Sequence, residues 1–275
     1  MNTRTPFHSL PKIMRRISWC LIAAAALAEV QLSAAVAPIN LGQAIDFRVL
    51  AGSGITNTGA TTIIGDVGSL PTSTITGFGS VALTGTNHGG DAITLAGKGD
   101  LLTAFNDGAG RIPTIIYGPI HIFGTETLTA GIYNNPSSFG LSGALTLDGG
   151  GDPNAIFIFQ AGSTLTTAVG SSVILQNGAQ AGNVFWVVGS SATLGVNSSL
   201  SGTIMAVTSI TLNTGATLDG RALALNGAVT MDTNNISLTP LAPGVLGAPT
   251  HWLGAASGLW TTVGNRSEER RVGKD

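Results

Sequence analysis

From residue 41 to residue 240 the chain is a succession of short runs of Val, Ile, Leu, Ala and Thr, punctuated by Gly, Ser and Asn. That is the pattern of many short strands joined by tight turns. Three runs align: Asn183-Val-Phe-Trp-Val-Val-Gly189, Gly202-Thr-Ile-Met-Ala-Val-Thr208 and Gly220-Arg-Ala-Leu-Ala-Leu-Asn226, with starts 19 and 18 residues apart. The pieces that follow also align, as Ser190-Ser-Ala-Thr-Leu194, Ser209-Ile-Thr-Leu212 and Gly227-Ala-Val-Thr-Met231. A third set runs Gly195 to Gly202, Asn213 to Gly220 and Asp232 to Leu238. Each period therefore holds three strand-like pieces, which predicts one triangular coil of a β-helix. Alternate residues are apolar, so Ile210, Leu212, Ala216 and Leu218 are expected inward, with Thr211, Gly215 and Thr217 outward. One coil cannot bury its own core, so the coils must stack. Another coil begins at Asn154, 29 residues before the next, which implies an inserted turn near 177–182.

One segment departs from the period of two. From Asp91 to Asp107, Ile93, Leu101, Leu102 and Phe105 recur at helical spacing. Gly97 and Gly99 weaken such a helix by roughly 1 kcal/mol each relative to Ala, and Gly108 to Gly110 would end it. The expected architecture is an all-β right-handed triangular β-helix with one long α-helix packed alongside.

Composition narrows the possible partners. Charged residues make up 9% of the chain and apolar ones 43%, against roughly 25% charged in an average globular chain. Basic residues cluster at the ends, and positions 41–240 carry four basic and ten acidic side chains. That balance disfavours nucleic acid or anionic lipid as a partner. The single cysteine, Cys20, lies in the leader, which leaves the remaining domain without disulfides or thiol chemistry.

The ends differ from the core. Arg15-Arg16, an apolar run from Ile17 to about Leu27 and the small residues Ser33 to Ala37 predict a secretion signal over 1–37, with cleavage expected between about 33 and 37. The run is shorter than the roughly 20 residues that span a bilayer, so no membrane insertion is expected after cleavage. The solenoid domain is expected over 38–240. Segment 241–265, rich in Pro, Gly and Ala, is expected to be a linker or the start of a truncated second module. Segment 266–275, with seven charged residues in ten, is expected to be a non-native or artefactual tail.

Sites for chemistry are sparse. Outside the leader and tail only His88 and His121 remain, with no metal-ligand spacing, so neither metal nor cofactor is expected. Gly149-Gly-Gly-Asp152 occurs once and is a tight turn rather than a calcium motif. A polysaccharide lyase needs clustered carboxylates with a basic partner. The pairs Asp148/Asp152 and Asp219/Arg221 do not form such a cluster, so no enzyme is expected.

Threonine offers more. Asn-Thr-Gly-Ala-Thr occurs twice, at Asn57 to Thr61 and at Asn213 to Thr217. Thr84-Gly-Thr-Asn87 and Thr167-Ala-Val-Gly170 are weaker relatives. The neighbouring coils supply Asn197 and Ser199, then Thr233 and Asn234. Stacked coils would set such residues ~4.8 Å apart on one face. Stiff, β-branched threonines in a ladder are already ordered and lose little entropy on binding. Such a face suits adsorption to ordered water, and adhesion or glycan binding remains the alternative.

From Asn40 to Leu238 the chain resembles the microbial ice-binding protein family of discontinuous β-solenoids (DUF3494). The residues that carry the likeness include Leu41 to Ser53, Gly65-Asp-Val-Gly68, Leu128-Thr-Ala-Gly-Ile-Tyr133, Gly151 to Gln160, Asn177 to Trp186 and Ile210 to Thr217. The resemblance implies about six coils, with the N-terminal segment stacked near the C-terminal coils. It also implies a secreted, monomeric protein that adsorbs to ice and inhibits its growth and recrystallisation. The expected ice-binding residues are Thr58, Thr61, Thr167, Asn197, Ser199, Thr214, Thr217 and Thr233, a patchy face centred on the two pentapeptides.

Overall fold

The structure, a computed structural model, describes residues 36–240. The expected leader, apart from its last two positions, and segments 241–265 and 266–275 lie outside these residues. Among the described residues the strands form a β-solenoid with three faces, and every strand pairing is parallel. The faces are numbered in the order a coil visits them. The first runs through Gly131–Asn135, Phe157–Ala161 and Val184–Val188. The second is an eight-stranded sheet from Ile75–Thr76 through Ile55–Thr58, Val229–Asp232, Ile210–Leu212, Ala192–Leu194, Leu165–Thr167 and Ser138–Leu141 to Ile120–Phe123. The third runs through Ala144–Asp148, Ser172–Gln176, Asn235–Ser237 and Thr61–Ile64. Two long strands, Ser199–Ala206 and Thr217–Ala224, start on the third face and turn onto the first without a break. Backbones nearly touch at that bend: a Cβ on Gly220 would lie 1.8 Å from the Gly202 carbonyl oxygen.

Coil order departs from chain order, as expected. Phe47–Ala51 pairs with Thr217–Ala224, and Ile55–Thr58 pairs with Val229–Asp232. The N-terminal strands thus extend the stack beyond its last C-terminal coil. This adds rungs: the second face counts eight strands, more than the six or so expected. Helix Ala92–Gly110 then returns the chain to Ile115–Ile116 at the opposite end. Its 19 residues span about 28 Å at 1.5 Å per residue, most of the stack's length.

The helix is capped by Asp91, whose carboxylate accepts the Thr94 N–H at 2.9 Å. Its buried stripe is Thr94, Gly97, Leu101, Ala104 and Gly108. The expected stripe is only partly correct, because Ile93 and Leu102 are 46% and 51% exposed. Small residues define the docking side. A Cβ on Gly97 would stand 2.8 Å from the Phe47 ring, and one on Gly108 would stand 2.8 Å from both Ile39 and Val187. Glycines that weaken the helix therefore permit its close contact with the first face.

The interior has two layers. Tyr133, Phe159 and Trp186 stack inside the solenoid on successive rungs, at 5.2 and 4.1 Å between ring centroids. The Trp186 indole N–H donates to the Ser201 carbonyl at 3.0 Å. The alternate residues Ile158, Phe185, Val187, Met205 and Leu223 face outward, packed with Leu101 and Ala104 of the helix. The observed register pairs Phe185 with Thr203 and Trp186 with Ile204. The first-face alignment read from the sequence, Asn183 with Gly202, is one residue out. A slip of one would exchange the two layers, and matching Trp186 and Ile204 inside the core prevents it.

Candidate functional site

The expected surface residues gather at the corner between the second and third faces, but not as one face. At this corner five successive coils turn through a residue of positive φ: Gly170, Asn197, Gly215, Thr233 and Gly59. Thr58, Asn197, Thr214 and Thr233 are exposed along this edge. Ser199 and Thr217 are exposed one step further on, paired in register on the third face and continued by Asn235 and Thr62.

Thr61 and Thr167 are corrections. They are 1% and 3% exposed, so neither can touch a surface. The Thr61 hydroxyl accepts the Asn234 N–H at 3.0 Å. The Thr167 hydroxyl accepts the Gly195 N–H at 2.8 Å and donates to the Ser198 hydroxyl at 3.0 Å. Both satisfy buried backbone inside the turn. The cause for Thr61 is register. Asn57 pairs with Met231, which pairs with Leu212, so the first pentapeptide sits one position ahead of the second. A coil also separates them. Side chains alternate along a strand, so Thr61 points inward where Thr217 points outward. Thr84 and Asn87 lie elsewhere, in strands Val81–Thr84 and Asn87–Gly89 that pass from the third face to the first.

The second face carries the regular feature. Its outward central position is Thr76, Thr56, Thr230, Thr211, Thr193 and Thr166 on six consecutive rungs, each paired with the next. The column continues as Gly140 and Ile122. Each threonine follows an inward apolar residue: Ile75, Ile55, Val229, Ile210, Ala192 or Leu165. The preceding positions are small, and the Thr74, Gly54, Ala228, Ser209, Ser191 and Thr164 carbonyls each accept an N–H from the next rung. Five steps of ~4.8 Å make a column about 24 Å long, and outward neighbours along a strand lie ~6.6 Å apart. The result is a regular column of hydroxyls and methyls on stiff stems, flanked mostly by small residues.

Charge is nearly absent from this sheet. Its strands contain no Lys, Arg or Glu, and Asp232 is their one acidic residue. The Asp232 carboxylate accepts hydroxyl hydrogen bonds from Thr214 and, at 3.0 Å, from Thr233. These bonds, with the Thr58 hydroxyl, hold its pKa below the ordinary aspartate value.

The other polar candidates are architectural. His88 contacts Asp91 at 2.9 Å and Asp66 at 3.4 Å, tying the helix start to the end of the stack; hydrogen bonds to both carboxylates raise its pKa despite the opposing effect of desolvation. His121 stacks on Tyr117 at 3.8 Å. Gly149 to Asp152 form a turn in which the Asp152 N–H donates to the Gly149 carbonyl. Arg221 is buried and donates to the Ile45 carbonyl at 2.8 Å and the Thr203 hydroxyl at 3.1 Å. No group of three or more His, Cys, Asp or Glu among the described residues could hold a metal ion. No described helix is long and apolar enough to cross a membrane.

Known proteins share this fold and much of this sequence. Residues 49–237 match the family model described as Ice-binding-like. An ice-binding protein of Nostoc sp. (strain HG1) is 47% identical over 228 residues, which is 82% of this chain and 84% of the relative. One of Flavobacterium frigoris (strain PS1) is 33% identical over 216 residues, covering 73% and 76%. Among solved structures, an ice binding protein from an Antarctic biological consortium has a TM-score of 0.69 at 48% identity, covering 74% of this chain and 92% of that one. The ice-binding protein of the Antarctic ascomycete Antarctomyces psychrotrophicus has a TM-score of 0.71 at 44% identity, covering 74% and 98%. With most of its length matched at this level, the chain belongs to the ice-binding-like family.

Proposed function

We propose that this protein adsorbs to ice through its second face and so restrains crystal growth and recrystallisation. The observation that carries the reading is the unbroken column of six threonines, in register on consecutive rungs. A rigid array meets a lattice without the ordering cost that a flexible surface pays. Methyls favour cage-like water beside them, and hydroxyls anchor it. Strongly hydrated ions would disrupt an ice-like layer, and this sheet carries one acid and no lysine, arginine or glutamate. Thr58, Asn197, Thr214 and Thr233 form the rim of the array, and Ser199 and Thr217 lie beyond it. Adsorption requires neither catalysis nor a cofactor. The secretion signal read over 1–37 supports action outside the cell, and a single copy presents the whole array, which supports a monomer.

Bulky substitutions test the face. Thr211→Tyr and Thr193→Tyr are expected to abolish most ice recrystallisation inhibition, while Thr217→Tyr on the third face leaves most of it. Circular dichroism would verify that each variant folds. Full activity in both second-face variants, with loss in Thr217→Tyr, would transfer the function to the third face.

A further inference from the structure

A carboxylate on an ice-adsorbing face is unexpected, since an ionised group holds its own hydration shell. Asp232 nevertheless pairs in register with Thr58, two positions along its strand from Thr230 in the threonine column. Its two oxygens accept the hydroxyls of Thr214, one rung away, and Thr233, its own neighbour. The Asp232 N–H donates to the Asn234 side-chain oxygen at 2.6 Å, and Asn234 donates to the Asn213 and Ala216 carbonyls at 2.9 Å. The carboxylate thus stands on a turn anchored by the buried, hydrogen-bonded Asn234 and binds threonine donors of two rungs.

A hydroxyl that donates to a fixed carboxylate fixes χ1, and on a β-branched stem that places the methyl as well. Resting on the reading of the second face as the ice-adsorbing one, we propose that Asp232 is a positioning residue. Its ionised carboxylate locks Thr214 and Thr233 into one rotamer each and so adds an ordered rim to the central column. The threonines in turn supply donors that water would otherwise supply, which offsets the hydration of the charge. Protonation would put an O–H where a hydroxyl donates and release one threonine. No charged group contributes to the lowering of the Asp232 pKa, which comes from the hydroxyls of Thr214, Thr233 and Thr58.

The test uses the full chain, with recrystallisation-inhibition endpoint, thermal hysteresis and melting temperature as readouts. At pH 7, Asp232→Asn should raise the endpoint concentration about two- to ten-fold, the range set by loss of one rotamer preference, with an unchanged melting temperature. Thr214→Val, which keeps the shape and removes the donor, should act in the same direction. Wild-type activity should fall as pH drops through the lowered Asp232 range, and Asp232→Asn should lack that step. Wild-type endpoints for both variants, or an acid step that survives in Asp232→Asn, would overturn the proposal. Thr211→Tyr separates the two readings: if that variant keeps full activity the face itself is wrong, whatever Asp232 does.

Discussion

Thr233 sits at φ 55°, in the left-handed region, where the equivalent corners are Gly59, Gly170, Gly215 and Asn197. It is the one β-branched residue in that series. A left-handed conformation costs a residue with a Cβ about 1–2 kcal/mol, and β-branching places Thr toward the upper end. Replacing it by Gly removes this strain but adds unfolded-state entropy worth about 0.4–1 kcal/mol. The exposed hydroxyl bond to Asp232 contributes little to stability. Thr233→Gly should therefore stabilise the fold by about 1 kcal/mol, or roughly 2–4 °C in melting temperature for a domain of this size. Strain that persists at one corner points to a use for the side chain, here the donor to Asp232. The same variant should inhibit ice recrystallisation less well. Thermal melts followed by circular dichroism, run beside the endpoint assay, measure both. A melting temperature unchanged or lowered in Thr233→Gly would refute the strain argument. A raised one with undiminished activity would refute the functional half.

The helix glycines should respond with opposite signs. Gly99 faces open space, so Gly99→Ala should stabilise by about 1 kcal/mol through helix propensity. Gly97→Ala should destabilise by about 1–2 kcal/mol in urea titrations, because its Cβ would enter the Phe47 ring at 2.8 Å and overpacking outweighs propensity. Lys98 donates to the Ala224 and Leu225 carbonyls, and burial lowers its pKa from 10.5 to about 8. Between those values the unfolded chain holds the proton that the folded one has released, so stability should rise with pH across that window. Solvent access moderates the size of the effect. Lys98→Met should flatten the slope in melts at pH 7, 9 and 10, and an unchanged slope would show that Lys98 does not cause it.

Much of this protein is legible in its sequence because the solenoid is local in pattern. The period, the three strands per coil and the inward apolar residues follow from alternation and turn chemistry, which act within a few residues. The second-face threonines were visible too: Ala192-Thr193, Ile210-Thr211 and Val229-Thr230 fall at one place in the aligned pieces. The repeated pentapeptide is the louder signal and points instead to a face centred on its two copies. Only the tertiary structure decided that the two copies stand one residue out of register, which buries Thr61 and exposes Thr217. Corner loops of unequal length absorb that residue, and no local pattern records how much each loop takes up. Only the stacking of Ile55–Thr58 on Val229–Asp232 joins Thr56 and Thr76 to threonines more than a hundred residues away in sequence. Local alternation sets which residues can point outward. Which of them form one column depends on which coils become neighbours, and burial of the N-terminal strands against the last C-terminal coil settles that.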